Sequence, residues 1–199
     1  MVAGGTGTRF GKPKQYESLG GRRVVDWSLE VARDVSDVVV LVVPAEHAGE
    51  PESLADVVVA GGDSRSASVR AGLAAVPDGV GHVLVHDAAR PVPLADMWRR
   101  VLAALEAGAS AVVPVVPVTD TLRERDGATV DRTRLVAVQT PQGFTADVLR
   151  AAHAAGGDAT DDAALAEAIG ANVVLVDGDV RNIKITGPSD LALAEFFIR

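Results

Sequence analysis

Between residues 4 and 23 the cations Arg9, Lys12, Lys14, Arg22 and Arg23 stand against one acid, Glu17, although the whole chain carries a formal charge of −8. Glycines at 4, 5, 7 and 11 are interleaved with the first three of these cations, in the stretch GGTGTRFGKPKQY. Glycine lets backbone N–H groups approach a ligand without an intervening side chain, and cations beside such a loop favour an anion. Phosphate is therefore the chemistry to test. A P-loop needs its first glycine where Thr6 stands and a hydroxyl residue where Pro13 stands. The dinucleotide fingerprint fails as well, because Phe10 occupies the place of its third glycine. A solvated basic loop is the plain alternative on charge alone.

Three further polar segments carry residues able to act on such a ligand: GGDSRSAS from Gly61, HDAARP from His86 and RNIKIT from Arg181. Each has an ordinary reading as well. Asp63 or Ser64 could cap a helix, Asp87 and Arg90 could form a buried pair at a strand end, and Lys184 could guard an edge strand.

The elements between these segments decide how they meet. Valine-rich runs recur at residues 1–3, 37–44, 56–60, 82–87, 110–118 and 172–178, and apolar residues at three- and four-residue spacing fill 25–35, 64–75 and 94–107. Buried parallel strands read as near-continuous apolar runs, and alternation with helices predicts an α/β fold. The expected architecture is a Rossmann-like, mostly parallel sheet with helices on both faces, in a single domain over 1–199. Gly108 is placed to end the third helix. Further helices are expected near 145–155 and 161–169, with a last one after Pro188. In such sheets ligands bind at the carboxyl ends of strands, which is where all four polar segments fall. The first strand has only three residues before the glycines, short for a central strand. Within 117–138 two short runs flank Asp126-Gly127, a strong hairpin signal. A hairpin of that size has no core of its own and is expected to pack on a partner chain.

Composition removes several functional classes. An acidic chain lacks the basic surface of a nucleic-acid binder. The apolar runs are far shorter than the ~20 residues of a membrane-spanning helix, and no signal-peptide pattern opens the sequence. With no cysteine, disulfides and thiolate-bound zinc are excluded, and a reducing cytoplasm is the natural setting.

Taken in order, AGGTGTRFGKPKQY, AGGDSRSASVRAGL, VLVHDAARP, PVTDTL, VDRTRLVAVQTPQGF, TDDAALAE and NIKITGPSDLALAE resemble the 2-C-methyl-D-erythritol 4-phosphate cytidylyltransferase family of the non-mevalonate isoprenoid pathway, over nearly the whole chain. The resemblance implies a magnesium-dependent reaction of CTP with methylerythritol phosphate, giving the cytidine diphosphate adduct and pyrophosphate. It implies a CTP site from Ala3, Gly4, Gly5, Gly7, Gly62, Asp63, Ser68 and Asp87. Arg9 and Lys14 would neutralise the transferring phosphorus. Asp87 and Arg90 would lie near ribose, metal and acceptor, and Lys184 would hold the acceptor phosphate. Asp87 is the one nearby carboxylate for Mg2+, most of whose ligands would come from triphosphate and water. Thr121 and Arg132 in the hairpin would reach the acceptor of a neighbouring subunit in a homodimer with shared sites, with Thr140 and Thr160 as further acceptor-side hydroxyls. Two alternatives stay open. The doubled glycine Gly4-Gly5 is familiar from ribitol 5-phosphate cytidylyltransferases, and a non-catalytic nucleotide sensor could use the same sheet, although it has little use for cations aimed at a transition state.

Overall fold

The computed structural model describes residues 1–5, 10–11 and 13–199. After a single 3-10 turn at Lys14–Tyr16, a small antiparallel hairpin, β1 (Ser18–Leu19) and β2 (Arg22–Arg23), leads into helix α1 (Val24–Val35). The chain then alternates: β3 (Val40–Val43), β4 (Val57–Ala60), α2 (Arg65–Ala74), β5 (His82–Val85), α3 (Ala95–Glu106) and β6 (Ala111–Pro117). An arm follows, with β7 (Leu122–Arg123), β8 (Thr129–Val130) and β9 (Val136–Val138). The chain returns through β10 (Gln142–Thr145), α4 (Ala146–Ala154), α5 (Asp162–Ala168), β11 (Val173–Asp177) and α6 (Pro188–Phe197).

The sheet has two parts. β3 and β4 pair in parallel; β5, β10, β6 and β11 form the larger part, in which β11 runs parallel to β6 while β10 is antiparallel to both neighbours. The tripeptide 1–3 joins the two. Val2 bridges in parallel to Val42 on one side and Asp87 on the other, with Ala3 N–H to Val42 O at 2.7 Å, Val2 N–H to His86 O at 2.8 Å and Ala88 N–H to Val2 O at 3.0 Å. The expected first strand is thus a single rung on each side. A cavity of about 550 Å³ is lined in part by Met1, Val40, Leu73, Leu84 and Trp98.

Alternation along the strands sends side chains into two layers. Leu41 and Val43 of β3 join Val25 and Leu29 of α1 and Met97 and Trp98 of α3 on one face. On the other, Val85, Ala111 and Phe144 pack with Val69 of α2, Leu149 of α4 and Leu165 of α5. Helices therefore cover both faces, as the valine runs predict. Caps fix where the helices begin. The Ser64 hydroxyl accepts the Ala67 N–H at 3.1 Å, and the Asp161 carboxylate accepts the Ala164 N–H at 3.1 Å. At the far end of α3, Gly108 takes φ +102°, the left-handed conformation that closes a helix cheaply only with glycine.

Three local features depart from what the sequence indicates. β10 is a buried strand whose sequence, QGFT, lacks the β-branched run that marks the others. The arm hairpin forms, but Gly127 donates its N–H to Glu124 O at 3.2 Å, so Arg125 and Asp126 are the turn's centre and Gly127 its last residue. RNIKIT is coil, so Lys184 does not sit on an edge strand.

Candidate active site

The ends of β4 and β5, the opening loop and the coil after β11 converge on one pocket of about 550 Å³. Of the residues singled out from sequence, Ala3, Gly4, Gly5, Lys14, Gly62, Asp63, Ser68, Asp87 and Lys184 line it. Gly7 and Arg9 lie outside the described residues.

Each wall is held by its own network. On the glycine side, Gln15 is buried and its amide donates to Ala3 O at 2.8 Å and Gly5 O at 3.1 Å, fixing where the loop leaves the sheet. Lys14 closes the loop against the far wall by donating to Ile185 O, next to Lys184. The turn after β4 is pressed onto α2, where a Cβ on Gly62 would come within 2.6 Å of the Ala67 Cβ. Ser68 steadies the same turn, its hydroxyl accepting the Gly62 N–H at 3.2 Å.

Asp87 is the centre of charge. Lys184 Nζ lies 2.6 Å from its Oδ2 and Arg65 Nε 3.2 Å from its Oδ1. Burial alone would raise the Asp87 carboxyl, but the charges of Arg65 and Lys184 outweigh it and hold the group far below the ordinary carboxylate range. The anticipated Asp87–Arg90 pair is absent. Arg90 instead reaches over the sheet end, donating to Asn182 O at 2.6 Å and Val138 O at 3.4 Å, and so secures the coil that carries Lys184.

Below Asp87 runs a buried relay of hydrogen bonds. The Asp87 N–H donates to Thr140 Oγ1 at 3.0 Å, the Thr140 hydroxyl contacts His86 Nδ1 at 3.1 Å, and His86 Nε2 contacts Arg90 O at 3.2 Å. A carbonyl can only accept, so Nε2 carries the imidazole proton and Nδ1 accepts from Thr140. Burial drives the His86 imidazole down to about 3, and the ring is neutral at physiological pH. The Thr140 hydroxyl is thus engaged within the framework and does not line the pocket. Thr121, Arg132 and Thr160 are exposed and away from the pocket walls, with Arg132 tied locally to Thr119 O.

Sequence reasoning passed over two contributors, Gln15 and Arg65. Both lie inside quoted stretches, and Arg65 is the one cation of GGDSRSAS, which was the available signal.

The pocket gathers Lys14, Arg65 and Lys184 with Asp63 and Asp87 between two glycine turns at strand ends, an arrangement chemically suited to an anionic ligand. The family model described as IspD: 2-C-methyl-D-erythritol 4-phosphate cytidylyltransferase matches residues 1–199. The chain belongs to this family. Similar relatives include the 2-C-methyl-D-erythritol 4-phosphate cytidylyltransferase of Nocardia farcinica, 47% identical over 98% of this chain and 90% of that protein. Part of a bifunctional IspD/IspF enzyme of Agrobacterium fabrum is 41% identical, covering 98% of this chain and 55% of that protein. Among solved structures, the family enzyme of Thermus thermophilus superposes with a TM-score of 0.87 at 40% identity, covering 100% of this chain and 97% of that one. The family membership and the α/β architecture agree, and no helix among the described residues is long and apolar enough to cross a membrane.

Proposed function

We propose that the pocket around Asp87 is where this cytidylyltransferase joins CTP to 2-C-methyl-D-erythritol 4-phosphate, yielding 4-diphosphocytidyl-2-C-methyl-D-erythritol and pyrophosphate for isoprenoid precursor synthesis. A phosphate oxygen of the acceptor forms a bond to the α-phosphorus of CTP while the bond from that phosphorus to the bridging oxygen breaks, and pyrophosphate carries the electron pair away. Negative charge spreads over the equatorial and departing oxygens, so positioning and cationic stabilisation supply the rate. No covalent intermediate on the protein is needed.

The observation that carries this reading is the meeting of Lys14 and Lys184 on one pocket with the glycine turns, Lys14 bonded to the carbonyl beside Lys184. Lys14, with Arg9, is assigned to the α-phosphorus, and Lys184 to the acceptor phosphate. Gly4, Gly5 and Gly7 are assigned to the triphosphate, and Gly62, Asp63 and Ser68 to cytosine and ribose, where fixed polar groups reject uracil. Among the described residues no three metal-ligating side chains gather in one place. A single carboxylate ligand fits a Mg2+ ion that brings triphosphate and water as its other ligands. Asp87 would hold it, and the ion would neutralise phosphate charge. Thr121 and Arg132 are assigned to the acceptor of a partner subunit, with Thr160 toward the same side and Thr140 acting only through the framework beneath Asp87, in a homodimer acting in the cytoplasm.

Incubation with CTP, Mg2+ and either methylerythritol phosphate or ribitol 5-phosphate, with pyrophosphate measured, tests the reaction. Turnover with methylerythritol phosphate is expected, at least about tenfold faster than with ribitol 5-phosphate. A preference for ribitol 5-phosphate would reassign the acceptor, and silence with both would leave a nucleotide-binding protein.

A further inference from the structure

Arg65, the first residue of α2, turns its side chain back under the pocket and meets two carboxylates at once. Its Nε lies 3.2 Å from Asp87 Oδ1 and its NH1 2.8 Å from Asp162 Oδ2. The second contact is an ion pair whose N–H is not aligned as a hydrogen bond. Asp162 is fully buried, and its other oxygen meets His153 Nε2 at 3.0 Å. Its backbone N–H is held by the Gln142 amide oxygen at 3.1 Å. Lys184, Asp87, Arg65, Asp162 and His153 therefore form one chain of contacts from the pocket wall to the interior between α4 and α5.

Burying two carboxylates is costly unless a cation spans them, and a rigid guanidinium fork is suited to fixing both at once. The Asp162 end is held by Gln142 and His153 at the start of α5. The Asp87 end faces the pocket. Its Oδ1 is turned toward Arg65, which leaves Oδ2 directed at Lys184.

We propose that Arg65 is a positioning residue of the cytidylyl transfer: anchored on Asp162, it fixes the Asp87 carboxylate so that Lys184 is presented to the acceptor phosphate. The proposal rests on the assignment of Lys184 made above. A displacement of about 1 Å at a reacting group can cost ~10²-fold in rate, so loosening Asp87 should lower kcat far more than it raises KM.

The test is a double-mutant cycle on the full-length protein with CTP, Mg2+ and methylerythritol phosphate. Arg65→Gln should reduce kcat on the order of 10- to 10²-fold with KM for CTP within about threefold. In a Lys184→Met background the same change should cost less than about twofold, because Arg65 acts through the lysine. Multiplicative losses, or a loss confined to KM, would overturn the positioning role. If Lys184→Met alone turns over like the parent, the Lys184 assignment is wrong, which is a separate failure. Should Arg65→Gln not fold by circular dichroism, Arg65→Lys, which can hold one carboxylate, enters the same cycle with the same criteria.

Discussion

Lys14 is where residue type, spacing and position agree most closely. It stands beside Pro13 in a locally basic stretch of an acidic chain, and it lines the pocket bonded to the segment of Lys184. Lys14→Ala should leave the melting temperature nearly unchanged and lower kcat by about 10²-fold or more, since a cation acting on the transition state is lost. Turnover within a few-fold of the parent would remove Lys14 from the reaction. The place of Lys14, Asp87 and Lys184 on the pocket was legible because ligands of a parallel sheet gather at strand carboxyl ends, although Asp87 and Lys184 each also had an ordinary structural reading. Arg65 was not, because its role depends on Asp162, almost a hundred residues away. Thr140 shows the same limit: nothing in AVQTPQ reveals that its hydroxyl sits between the Asp87 amide and His86. His86 carries a pH consequence. Neutral in the folded protein down to about 3 and protonated near 6.5 when unfolded, it makes the unfolded state bind more protons between those values. Stability should rise with pH across that window, by on the order of 5 kcal/mol in total, and be lost as pH falls through it. Urea midpoints from pH 3.5 to 7 should show this slope, and His86→Gln should flatten it above pH 4, leaving the steeper loss from Asp87 and other carboxylates below. An unchanged slope in the variant would assign it to other groups.

At the level of elements, the valine runs gave the strands their places because strands covered on both faces need no polar alternation. β10 escaped for a packing reason. Its second residue is Gly143, where a Cβ would come within 2.5 Å of Val101 Cγ1 and 2.9 Å of Leu105 Cδ1, so α3 lies closer to the sheet there than any β-branched residue allows. Its first residue, Gln142, is spent on the start of α5, its amide oxygen accepting from both Asp162 and Ala163. A strand with glycine and glutamine at such positions has no propensity signature. Gly143→Ala should accordingly destabilise by about 1–3 kcal/mol in denaturant titrations, and Val101→Ala in the same chain should recover part of that loss. Additive losses in the double variant would show that the contact with α3 is not the cause. The arm hairpin was legible in outline from Asp126-Gly127, while its turn register depends on a carbonyl that the sequence does not mark.

For the molecule as a whole, the arm leaves apolar side chains without cover: Val136 and Val138 are 44% and 42% exposed, and Leu122 and Leu135 38% and 36%. Such side chains are best buried on a second copy, as the proposed homodimer requires. Lys14→Ala and Arg132→Ala homodimers, each nearly inactive, should regain about one quarter of parental activity when unfolded and reassembled together, because half the dimers are then mixed and each mixed dimer has one intact site of two. No recovery despite verified subunit exchange would place each site within one chain. The join between β3 and β5 has its own consequence, in how the protein breathes. Val2 bridges to both sides, and the amides of Ala3, Val42 and Ala88 close its rungs, so their hydrogens should exchange when the two sides part, without global unfolding. The pocket draws Gly62 from one side of that join and Asp87 from the other, so a nucleotide seated there acts as a clasp. At a hundredfold excess over its Kd, CTP should slow exchange at those three amides by up to about 10²-fold, while the Glu124 amide in the distal turn of the arm keeps its unliganded rate.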